Sequence, residues 1–140
     1  MTKYNVLLDE WAFMPTRAHE PDAGADLYSP IDFVIYPGQS KQIDTGVHME
    51  IPVGYAGFLK SKSGLATRHG VLSIEGTIDA GYTGSIGVLL HNIGERPYQI
   101  RRGDKISQIV IQPVVLCEFR VVEKLVDTER GDGGFGSTGV

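Results

Sequence analysis

Long apolar runs are missing from this sequence. No stretch approaches the ~18–20 consecutive apolar residues of a membrane-crossing helix. The opening residues 1–13 have no apolar segment of the kind that marks a secretion signal. Cysteine is almost absent: Cys117 is the only one in 140 residues. That excludes an internal disulfide and agrees with a reducing compartment. Positive charge is also short. There are 13 Lys and Arg against 17 Asp and Glu, a net charge of −4. Such a balance argues against a nucleic-acid polyanion as partner. It does not exclude a small phosphorylated ligand, because a local cluster of donors can hold phosphate against a negative overall field.

Helical periodicity is nearly absent as well; short apolar runs alternate with turn signals instead. The runs predict strands over 4–8, 25–28, 33–36, 41–51, 55–60, 71–74, 84–92, 98–100, 105–115 and 118–124. Between them stand Pro30, Pro37-Gly38, Pro52-Val53-Gly54, Gly76, Gly94 and Gly103-Asp104, the punctuation of turns and loops. Residues 42–51 alternate well enough to be one half-buried strand. Many short strands at this spacing predict an all-β barrel or jelly roll. One short helix is expected over 63–69, with Ser63 at its start and Gly70 after it as caps. A chain of this length forms one domain and buries roughly two thirds of its unfolded surface. We divide it into a β core over 1–120, a charged connector over 121–129 and a glycine-rich C-terminal segment over 130–140.

Five segments carry side chains suited to chemistry, and each also has a plain structural reading. In Ala23-Gly24-Ala25-Asp26-Leu27-Tyr28-Ser29 an acid enters an apolar strand. It is either a turn Asp bonding its own backbone or a carboxylate facing a hydrated divalent ion. Lys60-Ser61-Lys62-Ser63-Gly64-Leu65-Ala66 places cations and hydroxyls at a helix start, either a solvated surface or a phosphate cradle. Gly76-Thr77-Ile78-Asp79-Ala80-Gly81-Tyr82-Thr83-Gly84 frames an Asp and a Tyr with glycines. Hairpin chemistry explains the glycines; in the functional reading the Asp orients or deprotonates a water beside a ring that packs on a sugar. Arg101-Arg102-Gly103-Asp104-Lys105-Ile106-Ser107-Gln108 reads as a charged turn, followed by a glutamine that points inward if the face of Ile106 is buried. The tail Arg130-Gly131-Asp132-Gly133-Gly134-Phe135-Gly136-Ser137-Thr138-Gly139 is either a frayed terminus or a ligand-closing segment. In the second reading Phe135 stacks on a base and Ser137 and Thr138 hold phosphate oxygens.

Taken together and in this order, the five segments resemble those of the trimeric dUTPases, the deoxyuridine triphosphate nucleotidohydrolases. The resemblance runs the length of the chain. It implies a β jelly roll assembled as a homotrimer, with active sites shared between subunits and a mobile C-terminal lid. It implies hydrolysis of dUTP to dUMP and pyrophosphate, with Mg²⁺ as cofactor. Asp79 is then the catalytic carboxylate that positions and activates water for attack on the α-phosphorus. Tyr82 lies against deoxyribose and leaves no room for a 2′-hydroxyl. The hairpin through Ile74, Gly76 and Thr77 reads uracil. Lys62, Ser63, Gly64 and Gln108 contact the phosphates, and Asp26 reaches the metal through water. Arg130, Phe135, Gly136, Ser137 and Thr138 form the lid. The implied setting is cytoplasmic, or the host cytoplasm for a phage-encoded chain, with no nucleic-acid or membrane partner.

This sequence departs from the family pattern in three places. Lys62 stands where the second motif usually has arginine, so a bidentate phosphate contact is lost. Ala80-Gly81 replaces a more polar pair, and Ile74-Glu75 is bulkier than the usual hairpin residues. Two alternatives remain beside the hydrolase: a dUTP-binding regulatory protein on the same scaffold, and a dCTP deaminase, for which Glu75 is the only nearby candidate base.

Overall fold

The structure is a computed structural model, and it describes residues 2–139. Its elements run β1 (Val6–Leu8), β2 (Gly24–Tyr28), β3 (Phe33–Ile35), β4 (Ser40–Asp44), β5 (Val47–Met49), β6 (Tyr55–Lys60), α1 (Ser63–His69), β7 (Val71–Ser73), β8 (Thr77–Ile78), β9 (Gly87–Asn92), β10 (Tyr98–Ile100) and β11 (Lys105–Pro113). Every strand pair is antiparallel. The largest sheet has the order β2-β11-β6-β8, a second is β4-β9-β7, and two ribbons pair β1 with β5 and β10 with β3. This is the expected all-β jelly roll with one short helix. No helix among the described residues is long and apolar enough to cross a membrane.

Strand pleating puts successive side chains on opposite faces and so builds the core. In β9, Val88 and Leu90 point inward, fully buried, while Leu89 between them is exposed. Leu27, Ile35, Ile43, Val47, Ile86, Ile100, Ile106 and Ile109 are among the side chains that share this interior. Each such side chain contributes about 1.5–3 kcal/mol relative to an exposed one. Asn92 is the polar exception at 0% exposure. It is fully engaged: its Nδ2 donates to the carbonyls of Ile35 and Arg96, and its Oδ1 accepts from the Gly94 N–H. A buried amide so satisfied ties β3 to the turn after β9 at no desolvation cost.

The structure corrects several expectations. The single strand over 42–51 is broken: β4 ends at Asp44 and β5 begins at Val47. Gly46 lies between them at φ +69°, and a Cβ there would come within 2.7 Å of the Trp11 ring. Left-handed backbone under a packed indole requires glycine, and alternation alone cannot reveal it. Ser63 does not cap α1. Lys62 occupies the N-cap position and no side chain caps the helix; Gly70 closes the other end at φ +66°, as expected. The 105–115 strand stops at Pro113, and 118–124 forms no strand. From Val114, whose N–H bonds Gly54, the chain leaves the barrel with Val115, Phe119 and Val121 each more than 90% exposed.

Candidate active site

Two polar groupings lie on the four-stranded sheet. The first centres on Asp26 of β2, only 3% exposed. Lys62 Nζ lies 2.5 Å from its Oδ1 and Lys105 Nζ 2.8 Å from its Oδ2. Burial pushes the Asp26 carboxyl up, but the two ammonium groups outweigh it and hold the group below the usual carboxylate range. The same contact raises Lys105 above an ordinary lysine. Segments far apart in sequence meet here because β11 pairs with β2 on one side and β6 on the other, with Gln108 opposite both Asp26 and Lys60.

Gln108 does not share the face of Ile106 as predicted. A register shift between Lys105 and Ser107 puts both Ile106 and Ser107 into the core, as a bulge does. Gln108 then sits half-buried on the opposite face. Its Nε2 donates to the Ser61 carbonyl at 2.9 Å, and its side chain fills the space beside Gly24. Behind it runs a hydroxyl chain: Ser73 Oγ to Ser107 Oγ at 2.7 Å, Ser107 Oγ to the Lys60 carbonyl at 3.0 Å, and Ser61 Oγ to the Ser73 carbonyl at 3.1 Å. This network fixes the chain before α1 and the start of the 73–77 hairpin together. The role of Lys105 and of these serines was not legible beforehand, since it depends on register. Ser63 and Gly64 follow Lys62 at the exposed start of α1.

The second grouping is a cleft of about 320 Å³ beside β8, lined by Gly76, Thr77, Asp79, Tyr82, Ser85 and Gln42 among others. Asp79 is solvent-facing, and its carbonyl accepts from the Tyr82 N–H at 3.1 Å in a tight turn. Tyr82 lies back over Gly84, where a Cβ would fall 2.5 Å from its hydroxyl oxygen, and the hydroxyl donates to the Ser85 carbonyl at 2.8 Å. Ile74 is exposed at the hairpin tip, and Lys60 Nζ meets Glu75 Oε1 there at 2.8 Å. That pairing holds Glu75 below the usual carboxylate range.

Arg130, Phe135, Gly136, Ser137 and Thr138 stand apart from both groupings. Among the described residues no hydrogen bond joins 130–139 to either. Arg130 Nε instead bonds the Gly133 carbonyl, and Phe135 is fully exposed at φ +51°. As for a metal, no group of three or more His, Cys, Asp or Glu among the described residues converges to hold one. Asp26 has both oxygens paired with lysines, so its charge is already matched by cations of the protein itself.

A β jelly roll with a glycine-framed acid in one cleft and a lysine-rich cluster on the same sheet defines a class, the small β proteins equipped for a phosphorylated ligand. The comparisons narrow the class. The dUTPase family model matches residues 10–139. The deoxyuridine 5′-triphosphate nucleotidohydrolase of Clostridium tetani is 46% identical over 99% of both chains, and that of Corynebacterium glutamicum is 48% identical over 96% of this chain and 92% of its own. The dUTPase of Staphylococcus bacteriophage 80alpha with dUPNHPP superposes with a TM-score of 0.94, at 33% identity and full coverage of both chains. A dUTPase from phage phi11 of S. aureus, described with a structural Mg(II) ion, gives 0.83 at 33% identity, over 90% of this chain and all of that one. The chain belongs to the dUTPase family.

Proposed function

We propose that this chain hydrolyses dUTP to dUMP and pyrophosphate, which limits uracil entry into DNA and supplies dUMP for thymidylate synthesis. The observation that carries the reading is the cleft with Asp79 and Tyr82 on one glycine-framed turn, in a chain that matches the dUTPase family over residues 10–139.

Asp79 takes a proton from a water whose oxygen attacks the α-phosphorus. The bond from that phosphorus to the bridging oxygen breaks, and pyrophosphate leaves. Tyr82 packs on the deoxyribose and rejects a 2′-hydroxyl by contact. Ile74, Gly76 and Thr77 border the uracil. Lys62, Ser63, Gly64 and Gln108 bind phosphate oxygens, so that charge developing on phosphorus meets donors already in place. Asp26 would meet a substrate-borne Mg²⁺ through water, and that ion would supply charge neutralisation of the phosphates when bound. Arg130, Phe135, Gly136, Ser137 and Thr138 close as a lid, 121–129 serving as the connector, and exclude bulk water.

The strand order supports sharing of this site between copies in a homotrimer. Asp26 on β2 and Thr77 on β8 lie at opposite edges of the four-stranded sheet, three strand spacings or roughly 14 Å apart. The apolar side chains exposed after Pro113 also suit burial against a neighbouring copy. We place the enzyme in the cytoplasm, or in the host cytoplasm if phage-encoded. Neither the regulatory alternative nor the deaminase is favoured, because the relatives are named as nucleotidohydrolases.

Pyrophosphate release from dUTP, dCTP, dTTP and UTP in parallel, with Mg²⁺ and with the metal chelated, tests the proposal. Release from dUTP alone, lost on chelation, is expected. Binding of dUTP without release would overturn it in favour of the regulatory reading.

A further inference from the structure

His48 lies outside the residues assigned above, and its ring bridges two parts of the fold. It sits on β5, 22% exposed at its side chain. Nδ1 is 2.8 Å from the Thr83 carbonyl oxygen and Nε2 is 3.1 Å from Asp9 Oδ1. A carbonyl and a carboxylate only accept hydrogen bonds. A neutral imidazole carries one N–H and satisfies one of them; both contacts together call for the imidazolium. The charged surroundings agree. Asp9 bonds the ring, Asp44 adds a favourable field, and Glu50 lines the small recess beside it, among whose described lining residues there is no Lys or Arg.

The carbonyl that His48 holds belongs to the loop carrying the cleft's chemistry. Thr83 directly follows Tyr82, and the turn from Asp79 to Tyr82 is closed by a backbone bond. Beyond Thr83, Ser85 Oγ donates to Asp44 and accepts from the Gly46 N–H. Asp9 is itself fixed, its N–H bonding the Gly46 carbonyl at 2.9 Å. The loop is thus anchored at Ser85 by bonds to Asp44 and Gly46 and at Thr83 by a bond that depends on the His48 ring.

We propose that His48 is a positioning residue: as an imidazolium it fastens the 79–85 loop to Asp9, setting Tyr82 and Asp79 for the nucleoside, and the cleft loosens as His48 loses its proton. The inference rests on the dUTPase reading above. The Thr83 carbonyl raises the pKa of His48, burial lowers it, and Asp9 and Asp44 raise it, leaving it above the ordinary value. The sign follows: the clamp is complete below about pH 6.5 and is lost as pH rises through the raised pKa.

The test compares wild type, His48→Gln and Asp9→Asn from about pH 5.5 to 8.5, measuring KM and kcat for dUTP and the imidazole titration by NMR. The ratio of KM between variant and wild type cancels the titration of dUTP itself. For His48→Gln we expect a ratio of about threefold or more at the acid end, the size of one lost hydrogen bond, falling to near one at the alkaline end. Asp9→Asn shifts both the His48 titration and the KM transition to lower pH in step. A pH-independent ratio, or a wild-type His48 titrating at or below its ordinary value, overturns the proposal. Should the wild type fail to hydrolyse dUTP, the function reading falls. The clamp is then judged by the Tyr82 and Thr83 amide signals, which must follow His48 titration in wild type and not in His48→Gln.

Discussion

Lys62 Nζ and Asp26 Oδ1 are 2.5 Å apart, joining the start of α1 to the interior of β2. Lys105 takes the other carboxylate oxygen. One buried acid therefore holds two cations on the phosphate side of the proposed site, and Lys62 is aimed by Asp26 before any ligand arrives.

Replacing Asp26 by Asn removes the charge that both lysines share. We expect a loss of about 1.5–3 kcal/mol in unfolding free energy, the range for hydrogen bonds to charged groups, read by urea denaturation at neutral pH. The folded pKa of Asp26 is depressed, so its contribution is present above the unfolded value near 3.9 and is lost as pH falls through the folded value. Wild type and variant should thus converge in stability in strong acid. A constant gap across that range would refute the assignment.

Gly24 leaves room for Gln108. A Cβ there would fall 2.0 Å from Gln108 Oε1, so Gly24→Ala must displace the amide from the Ser61 carbonyl. The expected result is a higher KM for dUTP at a cost in stability of about 1–3 kcal/mol, typical of overpacking. Unchanged kinetics would mean that Gln108 has no phosphate role.

Asp79→Asn keeps the shape of the cleft and removes the base. Hydrolysis should fall by about 10²–10⁴-fold or more, while calorimetry still detects dUTP binding. Full activity in this variant would sink the mechanism.

Deleting 130–140 should leave the melting temperature within about 2 °C, because among the described residues this segment makes no hydrogen bond to the barrel. Turnover should collapse. Phe135→Ala should lose less, about 1–3 kcal/mol of transition-state stabilisation for one stacking ring. A truncated chain that fails to fold would make the segment structural.

Much of the fold was legible because strand alternation is local. A strand around 87–92 and Gly70 ending a helix can be read from a few letters, although which of Val88, Leu89 and Leu90 faces the core cannot, since all three are apolar. Asp79 and Tyr82 were legible as candidates for the same reason, three residues apart between glycines. The break at Gly46 was not, because the Trp11 ring that forbids a side chain there comes from another part of the chain. Nor was the shift at Ile106, which reverses the side on which Gln108 lies. The run 118–124 has strand-like residues but pairs with no strand among the described residues.

The sequence by itself determined the all-β class, the single short helix and the family, since these follow from side-chain period, turn residues and the order of five short motifs. Tertiary structure alone decided which charges meet. Asp26 finds Lys62 and Lys105, and His48 finds Asp9 and Thr83, only through strand order and register. Those depend on how the sheets share one core, a relation between distant residues that no local pattern encodes.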